Sequence, residues 1–285
     1  MGMLIEGAWC DEDLADFKRD GHTVRFSSGF HERISEDSEF KPESNRYALY
    51  YNWTCPWSHR ASITRALKGL EEVIESVLLE PAMGLQSWWF GTSGEYKDPA
   101  IGATHLHELY SATDKEFTGR VSVPILWDKK TAQIVNNDSG AIARMFNDEF
   151  NVLANHPEVN FYPAGQASEI DELNDFIADR LNDGVYKCLL APSQDDYERA
   201  FDALFSALDE LDNRLENNRY LLGDKPTEPD WRAFACLVRF DLIYYSLYGC
   251  NLKRIQDYPN LWPYTCDLYQ IPSVASTVDL EQIKR

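Results

Sequence analysis

The stretch "YALYYNWTCPWSHRASITRALKGLEEVIESVLLEP" (residues 47–81) constrains the fold more than any other part of the chain. "YALYYN" is rich in aromatic residues and ends at a turn, which predicts a strand. Pro56 then suits the first position of a helix, where its missing N–H costs nothing. Ile63, Ala66, Leu67 and Leu70 recur at i, i+3, i+4 and i+7, and Gly69 supplies the stop. "VIESVLLEP" reads as the next strand, so the opening is a β-α-β unit. Its single cysteine, Cys55, falls at the strand-to-helix junction.

Beyond this unit, residues 81–119 read as a long irregular stretch, of the kind that carries function or an insertion. "VSVPILWDKKTAQIVNND" predicts a hairpin around a "DKKT" turn, and "SGAIARMFNDEF" a short helix after it. The order β-α-β…β-β-α, with a proline just ahead of the hairpin, is the thioredoxin order. Residues 1–46 are polar with scattered aromatics and read as an extension lying over this domain, which spans 47–150. After a polar, proline-containing linker at 151–168 the periodicity becomes wholly helical through 169–285. One helix opens with Ser193 and Asp196 and lines Phe201, Leu204, Phe205, Leu208, Leu211 and Leu215 on one face. Another opens with Thr227 and Asp230. The expected fold class is therefore α/β followed by all-α.

Composition removes several function classes. Lys and Arg total 27 against 47 Asp and Glu, a formal net charge of −20, which repels phosphate backbones and anionic membrane surfaces. Neither nucleic acid nor membrane is expected as a partner, and the acidity reads as a solubility feature. No apolar run has the length of a membrane span, and "MGMLIEGAWCDED" lacks a basic, apolar leader, so a cytoplasmic protein is expected. The six cysteines, at 10, 55, 188, 236, 250 and 266, contain no C-x₂₋₄-C pair. That spacing supports neither zinc nor iron–sulfur ligation, and reduced thiols are expected.

Four features could carry chemistry. Cys55 at a helix N-terminus meets free amides and the macrodipole, which favour a thiolate; the alternative is a buried structural cysteine. Ser58 stands where a redox dithiol would place its second cysteine, so Cys55 needs an external thiol to complete a redox cycle. Pro124 lies where a thioredoxin-like domain carries a cis-proline facing the cysteine, with Val123 offering its backbone to a bound peptide. Asp138 and Ser139 stand at a helix start: either a plain cap, or a site holding a carboxylate and an amine side by side. His105 and His107 have metal-like spacing without a companion ligand and read as solvated loop residues, and His59 as a helix-surface residue. Tyr186, Tyr244, Tyr245 and Tyr269 lie in the helical half, as core residues or as acid catalysts.

The segments "CPWSHRASITRALKGLE", "GRVSVPILWDKKTAQIVNNDS", "EIDELNDFIADRLNDGVYK", "YLLGDKPTEPDWRAFACLVRFD" and "DLYQIPSV" resemble the glutathionyl-hydroquinone reductases, the xi class of glutathione transferases. The likeness runs from about residue 46 to the C-terminus, and "GVYK" and "LVRFD" are its most distinctive parts. It implies an N-terminal thioredoxin-like domain, a C-terminal all-helical domain carrying the quinol pocket, and a homodimer. Cys55 would be the catalytic cysteine. Trp88, in a G-W-x-F motif whose glycine is here Ser87, would lie against glutathione; so would Arg120, Val121, Val123 and Pro124. Asp138 and Ser139 match a Glu-Ser pair holding the γ-glutamyl end, with a shorter acid. Tyr186 and Tyr269 would line the quinol pocket and supply the proton, with Tyr244 as a third ring. Glutathione would be a co-substrate, with no metal or permanent cofactor. The competing readings are an omega-like thioltransferase or dehydroascorbate reductase, and a non-catalytic binding module.

Overall fold

A computed structural model describes residues 2–11, 18–19, 22–23 and 29–285. The rest of the segment read as an N-terminal extension lies outside the described residues. The chain divides into two compact units, Met1–Pro157 with Arg285, and Glu158–Lys284.

The first unit is built on a four-stranded sheet ordered β6-β5-β7-β8, from β5 (Tyr47–Tyr51), β6 (Glu75–Leu78), β7 (Ile125–Asp128) and β8 (Gln133–Asn136). β5 and β6 run parallel, with Ala48 opposite Glu75, while β7 is antiparallel to both β5 and β8. The parallel pair requires a crossover, and α1 (Pro56–Leu67) provides it. Its stop is as expected: Gly69 has φ 63°, the left-handed conformation that glycine adopts without a Cβ penalty. All five residues of β5 are buried, as befits a central strand covered on both faces. α3 (Ser139–Asp148) packs on α1. This is the thioredoxin-like arrangement expected from the sequence.

Three readings are corrected here. The stretch 81–119 is not wholly irregular, because α2 (Leu106–Thr113) lies within it and packs on β8. Only Leu106, Leu109 and Tyr110 of its eight residues are buried, and its cap is His105 rather than Ser, Thr, Asp or Asn, so no cap or long period advertises it. His105 and His107 are therefore helix-cap and helix residues: His107 stacks on Trp9 at 5.0 Å and on His105 at 5.2 Å. Among the described residues, no group of three His, Cys, Asp or Glu side chains could hold a metal ion. His59 is buried (3 % exposed) rather than on a helix surface, because α1 is covered around most of its circumference.

The N-terminal segment contributes to this unit's core. β1 (Met3–Ile5) and β2 (Ala8–Cys10) form a hairpin, and Leu4 pairs with Gly119 through two backbone hydrogen bonds of 3.0 Å. A further two-residue pair, β3 (Lys18–Arg19) with β4 (His22–Thr23), follows. Ile34 and Phe40 are buried among Leu49, Ile142 and Phe146. Arg46, 8 % exposed, makes a bidentate pair with Asp128, at 2.9 Å from Nε to Oδ1 and 2.7 Å from Nη2 to Oδ2.

The second unit is helical: α4 (Ala167–Ile177), α5 (Asp183–Leu189), α6 (Gln194–Arg214), α7 (Glu228–Arg239), α8 (Tyr245–Leu247), α9 (Leu261–Gln270) and α10 (Leu280–Ile283). The expected caps are present: the Ser193 hydroxyl accepts from Asp196 N at 3.1 Å, and Thr227 and Asp230 form a reciprocal capping box. Leu204, Phe205, Leu208 and Leu211 of α6 are buried, which is the apolar face its period marks. Two π-helical turns, Ala178–Asn182 and Phe240–Tyr244, lead into α5 and α8. Among the described residues no helix is long and apolar enough to cross a membrane.

Candidate active site

Cys55 is the N-cap of α1, and Pro56 is its first helical residue. Its Sγ accepts from Ser58 N at 3.4 Å, the amide that a capping side chain takes, and faces the Val123 carbonyl at 3.6 Å. The turn before it is set by Asn52, 1 % exposed, a residue that sequence reasoning passed over. Asn52 Oδ1 accepts from Thr54 N at 2.8 Å and from Thr54 Oγ1 at 2.7 Å. Its Nδ2 donates to Leu79 O at 3.1 Å and to Glu80 O at 2.7 Å. The side chain thus joins the ends of β5 and β6 and hands the chain into α1 at a fixed angle. An Asn three residues before the Cys-Pro helix start was the available signal.

The Val123–Pro124 bond is cis. Cys55, Trp88, Val121 and Val123 are buried in a single apolar cluster with Leu106, Tyr110 and Phe117. Arg120 is exposed beside them. The Tyr110 hydroxyl, fully buried and pushed up by burial, donates to Ser122 O at 2.8 Å and accepts from Ser122 N at 3.1 Å. α2 thereby holds the segment carrying Val121 and Val123.

Trp88 is pinned through its backbone, since its carbonyl accepts from Leu106 N at 2.9 Å, and Gly84 and Ser87 close the turn before it. Ser87 has φ 66° and is buried (4 % exposed). Glycine adopts such a left-handed backbone freely, and serine here adopts it at a cost.

Asp138 caps α3: its Oδ1 accepts from Ala141 N at 2.7 Å. The amides of Ser139 and Gly140 have no acceptor within the helix, since the first turn cannot supply one. Ser139, 5 % exposed, accepts at Oγ from Arg60 Nε at 2.9 Å and from Nη2 at 2.7 Å. "NNDS" is anchored from the other side, where Asn137 Oδ1 accepts from Phe30 N at 3.0 Å. The structure thus shows the plain cap at Asp138, with Ser139 bonded to Arg60.

In the helical unit, Tyr186 on α5 and Tyr244 stand with ring centroids 6.3 Å apart. Tyr248, which the sequence reading did not single out, completes a trio at 5.5 Å from Tyr186 and 4.9 Å from Tyr244. Burial raises the Tyr248 phenol, against a lowering hydrogen bond with Tyr186, and burial lifts Tyr244 well above the ordinary phenol value. Both phenols are held protonated. The i, i+4 spacing of Tyr244 and Tyr248 was the signal. Tyr245 instead lies under the Arg254 guanidinium at 4.3 Å, and Tyr269 is exposed on α9, outside this ring cluster.

A thioredoxin-like unit with one cysteine capping its first helix, followed by an all-helical unit, is the plan of a cysteine-type glutathione transferase. Residues 54–149 match the family model described as "Glutathione S-transferase, N-terminal domain". Residues 194–265 match the corresponding C-terminal domain. Over 285 residues the chain is 42 % identical to glutathionyl-hydroquinone reductase PcpF of Sphingobium chlorophenolicum, covering 100 % of this chain and 90 % of that protein. The structure of a xi-class glutathione transferase from Natrialba magadii superposes with a TM-score of 0.94 at 39 % identity, covering 99 % of this chain and 88 % of the other. The glutathione-bound structure of YqjG from Escherichia coli K-12 gives a TM-score of 0.89 at 38 % identity, covering 99 % and 89 %. The chain belongs to the xi class of glutathione transferases, the family of the glutathionyl-hydroquinone reductases.

Proposed function

We propose that this chain is a glutathione-dependent reductase that removes glutathione from glutathionyl-hydroquinones. The observation that carries the reading is the Cys55 sulfur, held at the start of α1 between the Ser58 amide and the Val123 carbonyl. Full-length similarity to a protein named for that reaction supports it.

In the first step the Cys55 thiolate attacks the glutathionyl sulfur, forming an S–S bond. The carbon–sulfur bond breaks with its electron pair going to the aromatic carbon, which takes a proton and leaves as hydroquinone. A second glutathione thiolate then attacks the mixed disulfide, releasing glutathione disulfide and restoring Cys55. One protein thiol and two glutathione equivalents balance the reaction, so Ser58 in place of a second cysteine is no defect. Glutathione is the co-substrate, and no resident cofactor enters either step.

Within the thioredoxin-like domain, residues 47–150, which the segment 1–46 precedes, glutathione lies against Trp88, Arg120, Val121 and Val123 beside Pro124. Its γ-glutamyl amine meets Asp138 and its α-carboxylate meets Ser139. The helical domain, 169–285 after the linker 151–168, takes the quinol against Tyr186, Tyr244 and Tyr269. Tyr186 or Tyr269 supplies the proton, and Tyr248 supports Tyr186. The enzyme works as a cytoplasmic homodimer.

Intact-protein mass spectrometry after mixing with a glutathionyl-hydroquinone tests the chemistry. A single glutathionyl adduct on Cys55 that disappears on adding glutathione is expected. Turnover confined to small mixed disulfides would shift the activity to a general thioltransferase.

A further inference from the structure

We propose that Arg60 is a positioning residue that turns Ser139 into a dedicated donor for the glutathione α-carboxylate; this rests on glutathione binding at the start of α3. A serine hydroxyl offers one proton and two acceptor sites. Arg60 takes up the acceptor side of that oxygen with a forked pair, donating from Nε at 2.9 Å and from Nη2 at 2.7 Å. What remains is the hydroxyl proton, which can go only to an acceptor, and a carboxylate oxygen is the strongest acceptor a peptide brings.

The charge placement points the same way. Ser139 is the first residue of a ten-residue helix, whose N-terminus carries partial positive charge. A guanidinium buried there (7 % exposed) adds its positive charge to that end of the helix, which favours an anion. Gly140 lets both side chains close on this turn, since a Cβ there would come 3.4 Å from Arg60 Nη2 and 3.2 Å from Asp138 Oδ1. The Trp57 ring lies 5.5 Å from Cζ, further restricting the guanidinium. Acid and hydroxyl thus divide an amino-acid head group: Asp138 faces the ammonium, and the Arg60–Ser139 pair faces the carboxylate.

The alternative is a strut tying α1 to α3 with no part in binding, and a truncated ligand separates the two. Binding of glutathione is compared with that of 4-aminobutyryl-cysteinylglycine, the same tripeptide without its α-carboxylate, on full-length wild type, Arg60→Lys and Arg60→Met. Wild type is expected to prefer glutathione by about tenfold, the scale of one hydrogen bond to a charged group. Arg60→Met should bring that ratio near unity with the truncated ligand's affinity unchanged, and Arg60→Lys, with one compact donor group, should keep part of it. At saturating glutathione kcat should hold while KM rises. In a Ser139→Ala background Arg60→Lys should have no further effect on the ratio. A preserved ratio in both Arg60 variants, or equal weakening of both ligands, overturns the proposal and leaves the strut. If wild type itself does not distinguish the two tripeptides, the placement of glutathione at α3 fails, and the role of Arg60 with it.

Discussion

Replacing Asp138 by Asn separates its two duties. As N-cap its Oδ1 accepts from Ala141 N at 2.7 Å, and an Asn oxygen takes the same bond equally well. The carboxylate charge, by contrast, is what a ligand ammonium requires. Stability should therefore change by less than about 0.5 kcal/mol, the ordinary scale of a tolerated surface substitution. A hydrogen bond to a charged group contributes about 1.5–3 kcal/mol, or roughly 10- to 150-fold in affinity. Asp138 is half-buried rather than enclosed, which places the expected loss at the lower end, about tenfold in glutathione KM. Asp138→Ala is the control: it loses the cap as well, about 1 kcal/mol, and so lowers the melting temperature by about 2–4 °C. The assays are steady-state kinetics against glutathione and thermal unfolding of the same preparations. Unchanged KM in Asp138→Asn, or equal destabilisation of the Asn and Ala variants, would refute the division of labour.

Cys55→Ser should abolish reductase turnover and the glutathionyl adduct, since a hydroxyl cannot form the mixed disulfide; retained turnover, measured by hydroquinone release, would defeat the mechanism. Asp128→Asn should cost about 3 kcal/mol in urea unfolding, because it leaves the buried Arg46 charge with only the more distant Glu43, at 3.8 Å, as counter-charge. Burial alone would raise the Asp128 carboxyl, but Arg46, Lys130 N and Thr131 hold it below the usual value. Its stabilisation is thus present above about pH 4 and lost as pH falls through the depressed native value; in Asp128→Asn that part of the acid dependence should vanish. Ser87→Gly should relieve the left-handed backbone at φ 66° and raise stability by up to about 1 kcal/mol, read as a higher urea midpoint. A lower midpoint would show that the serine makes a compensating contribution.

The legible part of this protein is that written in short-range periods and punctuation. The run of "YALYY", Cys55–Pro56, the Ile63–Leu70 spacing and Gly69 specify β5, the start of α1 and its stop, because each rests on neighbours within a few residues. The same holds for the Ser193 and Thr227 caps and for Asp138 ahead of α3. The cysteine could therefore be placed at a helix N-terminus from the sequence. α2 could not, because eight residues with three buried side chains and a histidine cap give too weak a local signal.

Other arrangements depend on approach in space across many residues. Arg60 meets Ser139 79 positions away, only because α1 and α3 pack together. Asn52 reaches Leu79 and Glu80 because β5 and β6 pair in parallel. Tyr248 joins Tyr186 through the fold of the helical unit, and Phe30 joins Asn137 at the edge of β8. Propensity and pattern act along the chain over one or two turns, and they set which segments become helices, strands and caps. Which buried donor meets which acceptor is settled by packing, where a polar group left unpaired costs more than its bond contributes.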